Sequence, residues 1–159
     1  MTPSEPAVES AADVLDRELA NTKREAIVTT ASVAVAVTGG LFLTGALQLW
    51  SAVWLAGPFE YVPWALLALG VALLVLGSRI YSQRLRALLA AIVLAAIGAL
   101  GSGAWALVTM ANGFLSLIGV LMPLGALTAA VLAGMAWGPC ARTAAARRRA
   151  AAAGIDLNL

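Results

Sequence analysis

Histidine is absent from this 159-residue chain, and cysteine occurs once, as Cys140. The lack of histidine excludes imidazole ligation of haem, most zinc sites and the usual general base. A single cysteine excludes an intramolecular disulfide and a cluster of thiolate ligands. No glycine-rich phosphate loop follows a strand pattern either. We therefore expect a protein that is not an enzyme and that needs no cofactor or metal.

Charge is also scarce: 11% of the residues are charged and 62% are hydrophobic. Soluble globular domains are about a quarter charged and about half apolar. The apolar residues fall into four segments, 26–50, 60–81, 87–110 and 115–138. Each is about 22 to 25 residues long, which is sufficient to cross a hydrocarbon layer of about 30 Å as a helix. The pattern predicts four transmembrane helices.

Positive charge is missing from the links after the first and third segments. Loops rich in Lys and Arg remain in the cytoplasm, so the distribution predicts an all-α, integral membrane four-helix bundle with up-down-up-down topology and both termini cytoplasmic. The dominance of Arg over Lys and of Ala, Leu, Val and Gly favours a bacterial plasma membrane. The basic residues are Arg17, Lys23, Arg24, Arg79, Arg84, Arg86, Arg142, Arg147, Arg148 and Arg149.

Two short terminal parts flank the membrane domain of residues 26–138. Residues 1–25 form a cytoplasmic segment in which Ser10 and the following apolar spacing predict a short amphipathic helix. We expect segment one to be retained, because 25 mixed-charge residues precede a full-length span. Residues 139–159 form a basic cytoplasmic tail, in which Pro139 predicts the start of a helix over 140–153. Within segment four, Pro123 predicts a kink.

Segments three and four carry small residues at every fourth position. The link between them is about four residues, so the two helices should be neighbours. Small side chains allow helix backbones to approach closely in lipid. We expect the two ridges to face each other within the chain, and a contact between copies of the chain is the alternative. The ridges are Ala87, Ala91, Ala95, Ala99 and Gly103, and Ala126, Ala130, Gly134 and Gly138.

Aromatic residues are concentrated around the first link. Rings with one wet edge are favoured at the membrane interface, so the pattern predicts an outer aromatic girdle rather than a cage for a cationic ligand. Glu60 is the one acid between the first and last spans, and we expect it to be a solvated loop carboxylate. The deep spans therefore lack the ionisable groups of ion-coupled transporters. The rings belong to Trp50, Trp54, Phe59, Tyr61 and Trp64.

Arginine is concentrated again after the fourth segment, at Arg142, Arg147, Arg148 and Arg149. Each base near an anionic leaflet contributes about 1 kcal/mol of attraction. We expect these residues chiefly to set the topology and to contact anionic lipid headgroups, with an acidic protein partner or the N-terminal acids as alternatives. So small a basic group beside a bilayer does not indicate nucleic acid.

These features predict a non-enzymatic integral membrane protein with an accessory or scaffold role. Its helices would pack through small-residue faces, and its cytoplasmic tails would contact anionic lipid or partner proteins. The alternative is a small oligomeric pore or permease, holin-like or exporter-like, whose subunits meet through the ridges of segments three and four.

Overall fold

The computed structural model describes residues 13, 14, 16, 17, 20, 21, 26–50, 60–82, 84–113 and 116–152. The residues described before position 22 are helical, whereas Ser10 lies outside the described part of the chain. Within the described ranges there are five helices and no strands. They are α1 (Ala26–Trp50), α2 (Val62–Tyr81), α3 (Leu85–Ala111), α4 (Leu117–Met135) and α5 (Trp137–Ala152).

The first four helices are long and apolar enough to cross a membrane. They begin and end within three residues of the segments that the hydropathy pattern predicts. Side chains such as Leu100 and Leu117 are 77% and 75% exposed in the isolated chain, which is an apolar surface suited to lipid. For the described residues, the prediction of an all-helical protein with four helices that are long and apolar enough to cross a membrane is confirmed.

The four long helices form a ring of contacts. Helix α1 contacts α2 and α4, and α3 contacts α4 and, less extensively, α2. Phe42 fills the centre from α1, and the Cβ of an alanine at position 98 would lie 2.9 Å from its ring. Gly98 thus provides the space for this ring. Other large side chains that are completely buried in the core belong to Leu73, Ile80 and Leu88.

Hydroxyl groups on the outer surface satisfy their hydrogen bonds within their own helices. Thr30, Thr44 and Thr128 are exposed, and each hydroxyl donates to the carbonyl four residues earlier, at 2.8 to 2.9 Å. An unpaired donor in hydrocarbon would be costly, because lipid tails offer no acceptor. These residues therefore do not need an aqueous path or a partner subunit.

The boundary between α4 and α5 differs from the predicted one. Segment four was expected to reach Gly138, with a new helix beginning at Pro139, but α4 ends at Met135 and α5 begins at Trp137. The chain leaves the helix at Ala136 alone, and the Cys140 amide then donates to the Ala136 carbonyl at 3.3 Å. Because proline lacks an N–H, Pro139 cannot donate to the carbonyl four residues before it, so the break occurs upstream of the proline.

Candidate functional site

Helices α1 and α2 approach each other closely at two glycines. A Cβ added to Gly39 would lie 2.7 Å from the carbonyl oxygen of Gly70, and one added to Gly70 would lie 2.8 Å from the carbonyl oxygen of Gly39. Both positions therefore require glycine, because backbone atoms cannot move aside as the end of a side chain can. The sequence analysis did not identify this contact.

A second close contact lies further along the same two helices. The hydroxyl of Ser32 donates to the carbonyl of Gly77 at 2.7 Å, and a Cβ on Gly77 would lie 3.0 Å from atoms of Ala36. The small residues of α1 and the pair Gly70 and Gly77, seven positions apart, form this interface. Their seven-residue spacing was the available signal, but the leucines of segment two obscured it.

Helix α1 also contacts α4 through a polar group. The Thr38 hydroxyl lies 3.0 Å from the Gly125 carbonyl and 2.8 Å from the Ala34 carbonyl in its own helix. About two turns further along α1, a Cβ on Gly45 would meet the sulfur of Met122 at 2.6 Å. Helix α1 thus makes close contacts with both α2 and α4.

The predicted ridge of α3 is partly buried. Ala91 and Ala95 are fully buried and Ala87 is 8% exposed, whereas Ala99 and Gly103 are half-buried. Each step of four residues turns about 40° around a helix with 3.6 residues per turn. A row of residues spaced strictly by four therefore winds around the helix and does not stay on one face. The buried face of α3 instead combines steps of three and four residues, through Leu88, Ala91, Ala95, Gly98, Ser102 and Ala106.

The predicted ridge of segment four is also only partly buried, and its last residue, Gly138, lies beyond the end of α4. Ala126 is buried and Ala130 is half-buried, but Gly134 and Gly138 are exposed and an added Cβ would have no neighbour within 4 Å. The structure therefore does not bring these two glycines into a contact between the described helices. The buried face of α4 consists of Met122, Ala126, Ala129 and Ala133.

The α3–α4 contact is looser than the α1–α2 contact. A Cβ on Gly103 would lie 3.8 Å from the Cβ of Pro123, an ordinary van der Waals distance. The turn between these helices includes Gly113 at φ 80°, a backbone conformation that suits glycine. Gly103 therefore leaves space that alanine could occupy.

The aromatic end of the bundle contains part of the predicted girdle. Trp50 and Trp64 pack edge to face with ring centroids 4.5 Å apart, and both remain about half exposed. Tyr61 and Glu60 are exposed in the turn before α2, whereas Trp54 and Phe59 lie outside the described residues. Two rings in direct contact leave no space between them for a cation.

A small cleft opens at the end of the bundle where α1 and α3 end and α4 begins. Its volume is about 100 Å³. Gln48, Thr109 and Ser116 contribute polar groups, while Leu49 and Met122 contribute apolar surface. None of its lining residues is ionisable, so it does not indicate acid–base chemistry. The complete lining is Gly45, Gln48, Leu49, Trp105, Thr109, Ser116, Ile118, Gly119 and Met122.

Helix α5 packs along one face against α3 and α4. Its buried residues are spaced by one to four positions and are small, apart from the cysteine and the proline. Helix α5 thus has one packed face, with the arginines on the other side or at its edge. The buried residues are Pro139, Cys140, Thr143, Ala146 and Ala150.

Of the four arginines predicted to contact lipid or a partner, Arg142, Arg148 and Arg149 are exposed. Arg147 is half-buried, and its Nη2 donates to the carbonyl of Ser82 at 3.3 Å. Ser82 is the C-terminal cap residue of α2, directly after Tyr81. A cation is favourable there, because the carbonyl end of a helix carries partial negative charge.

The Arg147 contact joins two basic groups that are distant in sequence. The end of α2, the turn and the start of α3 carry Arg79, Arg84 and Arg86, all of which are exposed. With the four arginines of α5, seven cationic side chains belong to these two adjoining parts of the chain. The sequence pattern had assigned both groups to the same membrane face but had not predicted contact between them.

No protein-family model matches this chain, and neither curated proteins nor solved structures show a significant match.

Proposed function

We propose that this chain is a non-enzymatic accessory or scaffold protein of a bacterial plasma membrane, whose basic end contacts the anionic cytoplasmic leaflet. The single observation that carries the proposal is the hydrogen bond from Arg147 to the Ser82 carbonyl. It joins α5 to the α2–α3 turn, so the basic surface has a defined shape instead of being a free tail. Protein partners are a further class of contact for the same surface.

The up-down-up-down topology is part of this proposal. The order of contacts supports it: Gly39 is opposite Gly70, whereas the earlier residue Ser32 is opposite the later residue Gly77. Such an order is that of antiparallel neighbours. Alternation through four spans would return the chain to its starting side, and the arginine-rich parts would then share the cytoplasmic face.

Reporter fusions test the orientation. An enzyme active only outside the cytoplasm should be active when fused after Asn112 and inactive when fused after Arg84 or Arg149. Activity after Arg149 would place the basic end outside and would refute the cytoplasmic assignment. A reporter that is active only in the cytoplasm, fused at the same positions, should give the inverse pattern and controls for expression.

Attachment of the basic surface to lipid is tested by Trp137 fluorescence. In a variant that retains Trp137 as its one tryptophan, brominated phosphatidylglycerol should quench more strongly than brominated phosphatidylcholine at equal mole fraction. High salt should reduce the difference, because exposed charge is screened over about 10 Å at 0.1 M. Equal quenching by the two lipids would contradict the proposed contact.

A small oligomeric pore is the second candidate, favoured by one observation. Gly134 and Gly138 are exposed on the surface, with free space around their Cα atoms. Glycines in such positions would allow close contact between copies of the chain. Ion flux from liposomes that is lost in Gly134→Leu, but kept in Leu132→Ala, would support the pore, and absence of flux at all protein densities would exclude it.

A further inference from the structure

We propose that Arg147, Arg84 and Arg86 form a binding site for the phosphate group of an anionic lipid headgroup. The site lies at the corner between α5 and the α2–α3 turn. It deepens the proposed function and rests on it for its place at the cytoplasmic leaflet. The proposal adds Arg84 and Arg86, at the start of α3, to the arginines of α5. It also gives Arg147 a role that differs from that of its neighbour Arg148.

Arg147 is held in position by the fold. Ala146 and Ala150 are buried on the packed face of α5, so the helix cannot rotate without exposing them. Nη2 donates to a carbonyl oxygen, which is a neutral acceptor and does not itself compensate the positive charge. The Nε atom is buried and has no hydrogen-bond partner among the described residues. A cation in this state is stabilised by any anion that reaches it.

The side chain as a whole is only half-buried, so an anion can approach it from the surface. The guanidinium charge is delocalised over the group, and an anion at its accessible edge therefore compensates the charge near the buried Nε. Guanidinium and phosphate have matching geometry, with parallel N–H groups opposite two oxygens. The chemistry of the position thus indicates a phosphate in preference to a single-point acceptor.

The other two arginines lie within reach of the same anion. Arg84 is two residues beyond Ser82, so their Cα atoms are at most about 7 Å apart. Arg84 and Arg86 are both exposed, so burial does not fix either side chain. A phosphate near Ser82 could therefore contact three guanidinium groups from two parts of the chain.

The start of α3 adds donors at the same place. Arg84 precedes the helix and makes no side-chain cap, and its carbonyl accepts from the amides of Ala87 and Leu88. The amides of Leu85 and Arg86 come too early in the helix to have an acceptor carbonyl within it, as is usual in the first turn. They contribute partial positive charge at the headgroup level, which adds to the attraction of the arginines.

The test uses the full-length protein in mild detergent, titrated with short-chain phosphatidylglycerol and followed by native mass spectrometry. R147Q and R148Q remove the same charge from adjacent positions. We expect R147Q to weaken binding of the first lipid about tenfold, because it removes charge-assisted hydrogen bonds. R148Q should change it by less than about twofold, as expected for exposed charge. Equal losses would show diffuse attraction and would overturn the site.

A second pair of variants keeps α5 unchanged. R84Q/R86Q should weaken binding more than R148Q/R149Q, although both remove two charges. Cys140 is buried on α5 and is the one cysteine of the chain, so its rate of maleimide labelling reports whether α5 remains packed. If R147Q accelerates labelling, the double variants decide the outcome. Equal weakening by the two double variants would reject the proposal.

Two further arms identify the source of the anion. Inorganic phosphate that displaces the lipid at equal concentration would show free phosphate to be the ligand and would overturn the headgroup assignment. The variant E18Q/E25Q removes two acids of the N-terminal segment. If it increases lipid binding by as much as R147Q reduces it, the chain's own acids pair with these arginines, which would also overturn the headgroup assignment. The binding measurement does not depend on the orientation of the chain in the cell. A reversed topology in the reporter fusions would refute the proposed function, whereas the lipid titration would still test this site.

Discussion

The α1–α2 contact uses glycine where the helix backbones touch, whereas the α3–α4 hairpin leaves space at its glycine. At Gly70 an added Cβ would meet a backbone oxygen at 2.8 Å, but at Gly103 the nearest atom would be 3.8 Å away. Both contacts contain small residues, yet only the first has no room for a methyl group. A small residue in a membrane helix therefore does not by itself show that two helix backbones touch at that position.

The largest effect is expected from Gly70→Ala, which breaks the closer contact. The new methyl group would overlap the carbonyl oxygen of Gly39, so α1 and α2 would have to separate. We expect a loss of roughly 3 kcal/mol in the free energy of unfolding, at the upper end for overpacking. The measurement is the unfolding midpoint in an SDS titration from mild detergent. Gly101→Ala, with no neighbour within 4 Å, is the control, and an equal loss there would contradict the argument.

A smaller effect is expected from Ala95→Leu on the buried face of α3. Ala95 is fully buried in the core, but the neighbouring core groups are side chains that can adjust in part. The expected loss is roughly 2 kcal/mol. Ala96→Leu, at the adjacent exposed position, should leave the unfolding midpoint unchanged. The reverse order of the two variants would mean that the face of α3 is assigned incorrectly.

Ser32→Ala should weaken the α1–α2 contact without changing its shape. It removes the hydrogen bond to the Gly77 carbonyl, and such bonds in membrane proteins contribute about 0.6 kcal/mol on average. Ser78→Ala is the matched control, because that hydroxyl bonds to the Val75 carbonyl of its own helix. The same SDS titration should separate the two variants, and a larger loss for Ser78→Ala would argue against the contact.

The smallest effect is expected from Gly103→Ala, which sharpens the comparison with Gly70→Ala. The methyl group fits 3.8 Å from Pro123, and alanine is favoured over glycine inside a helix by roughly 0.5–1 kcal/mol. The unfolding midpoint should therefore stay the same or rise slightly. A loss comparable with that of Gly70→Ala would show that the two contacts do not differ as described.

The sequence was sufficient to predict the spans but not their faces. The ends of α1 agree with the predicted segment 26–50, and the other spans differ by three residues or fewer. Of the small-residue ridge predicted in segment four, Gly134 and Gly138 are exposed. In a chain rich in alanine, small residues fall at every fourth position because alanine is abundant. Such spacing therefore does not identify which side of a helix is buried.

The candidate site was also predicted in part. The arginines of α5 stand out by their density, but nothing in their spacing separates Arg147 from Arg148. The difference arises because Ala146 and Ala150 direct one side of α5 inward and place Arg147 at its edge, beside Ser82. That contact joins positions 65 residues apart, so it depends on how the hairpin of α2 and α3 lies against α5.

The sequence by itself determined that four helices are long and apolar enough to cross a membrane, and it placed their ends to within three residues. This information is local, because the free energy of transfer into lipid is a sum over the residues of one segment. Only the tertiary structure decided which faces meet, including Gly39 with Gly70 and Arg147 with Ser82. Lipid offers no hydrophobic preference between one apolar face and another, so the choice depends on backbone approach and on hydrogen bonds between distant residues.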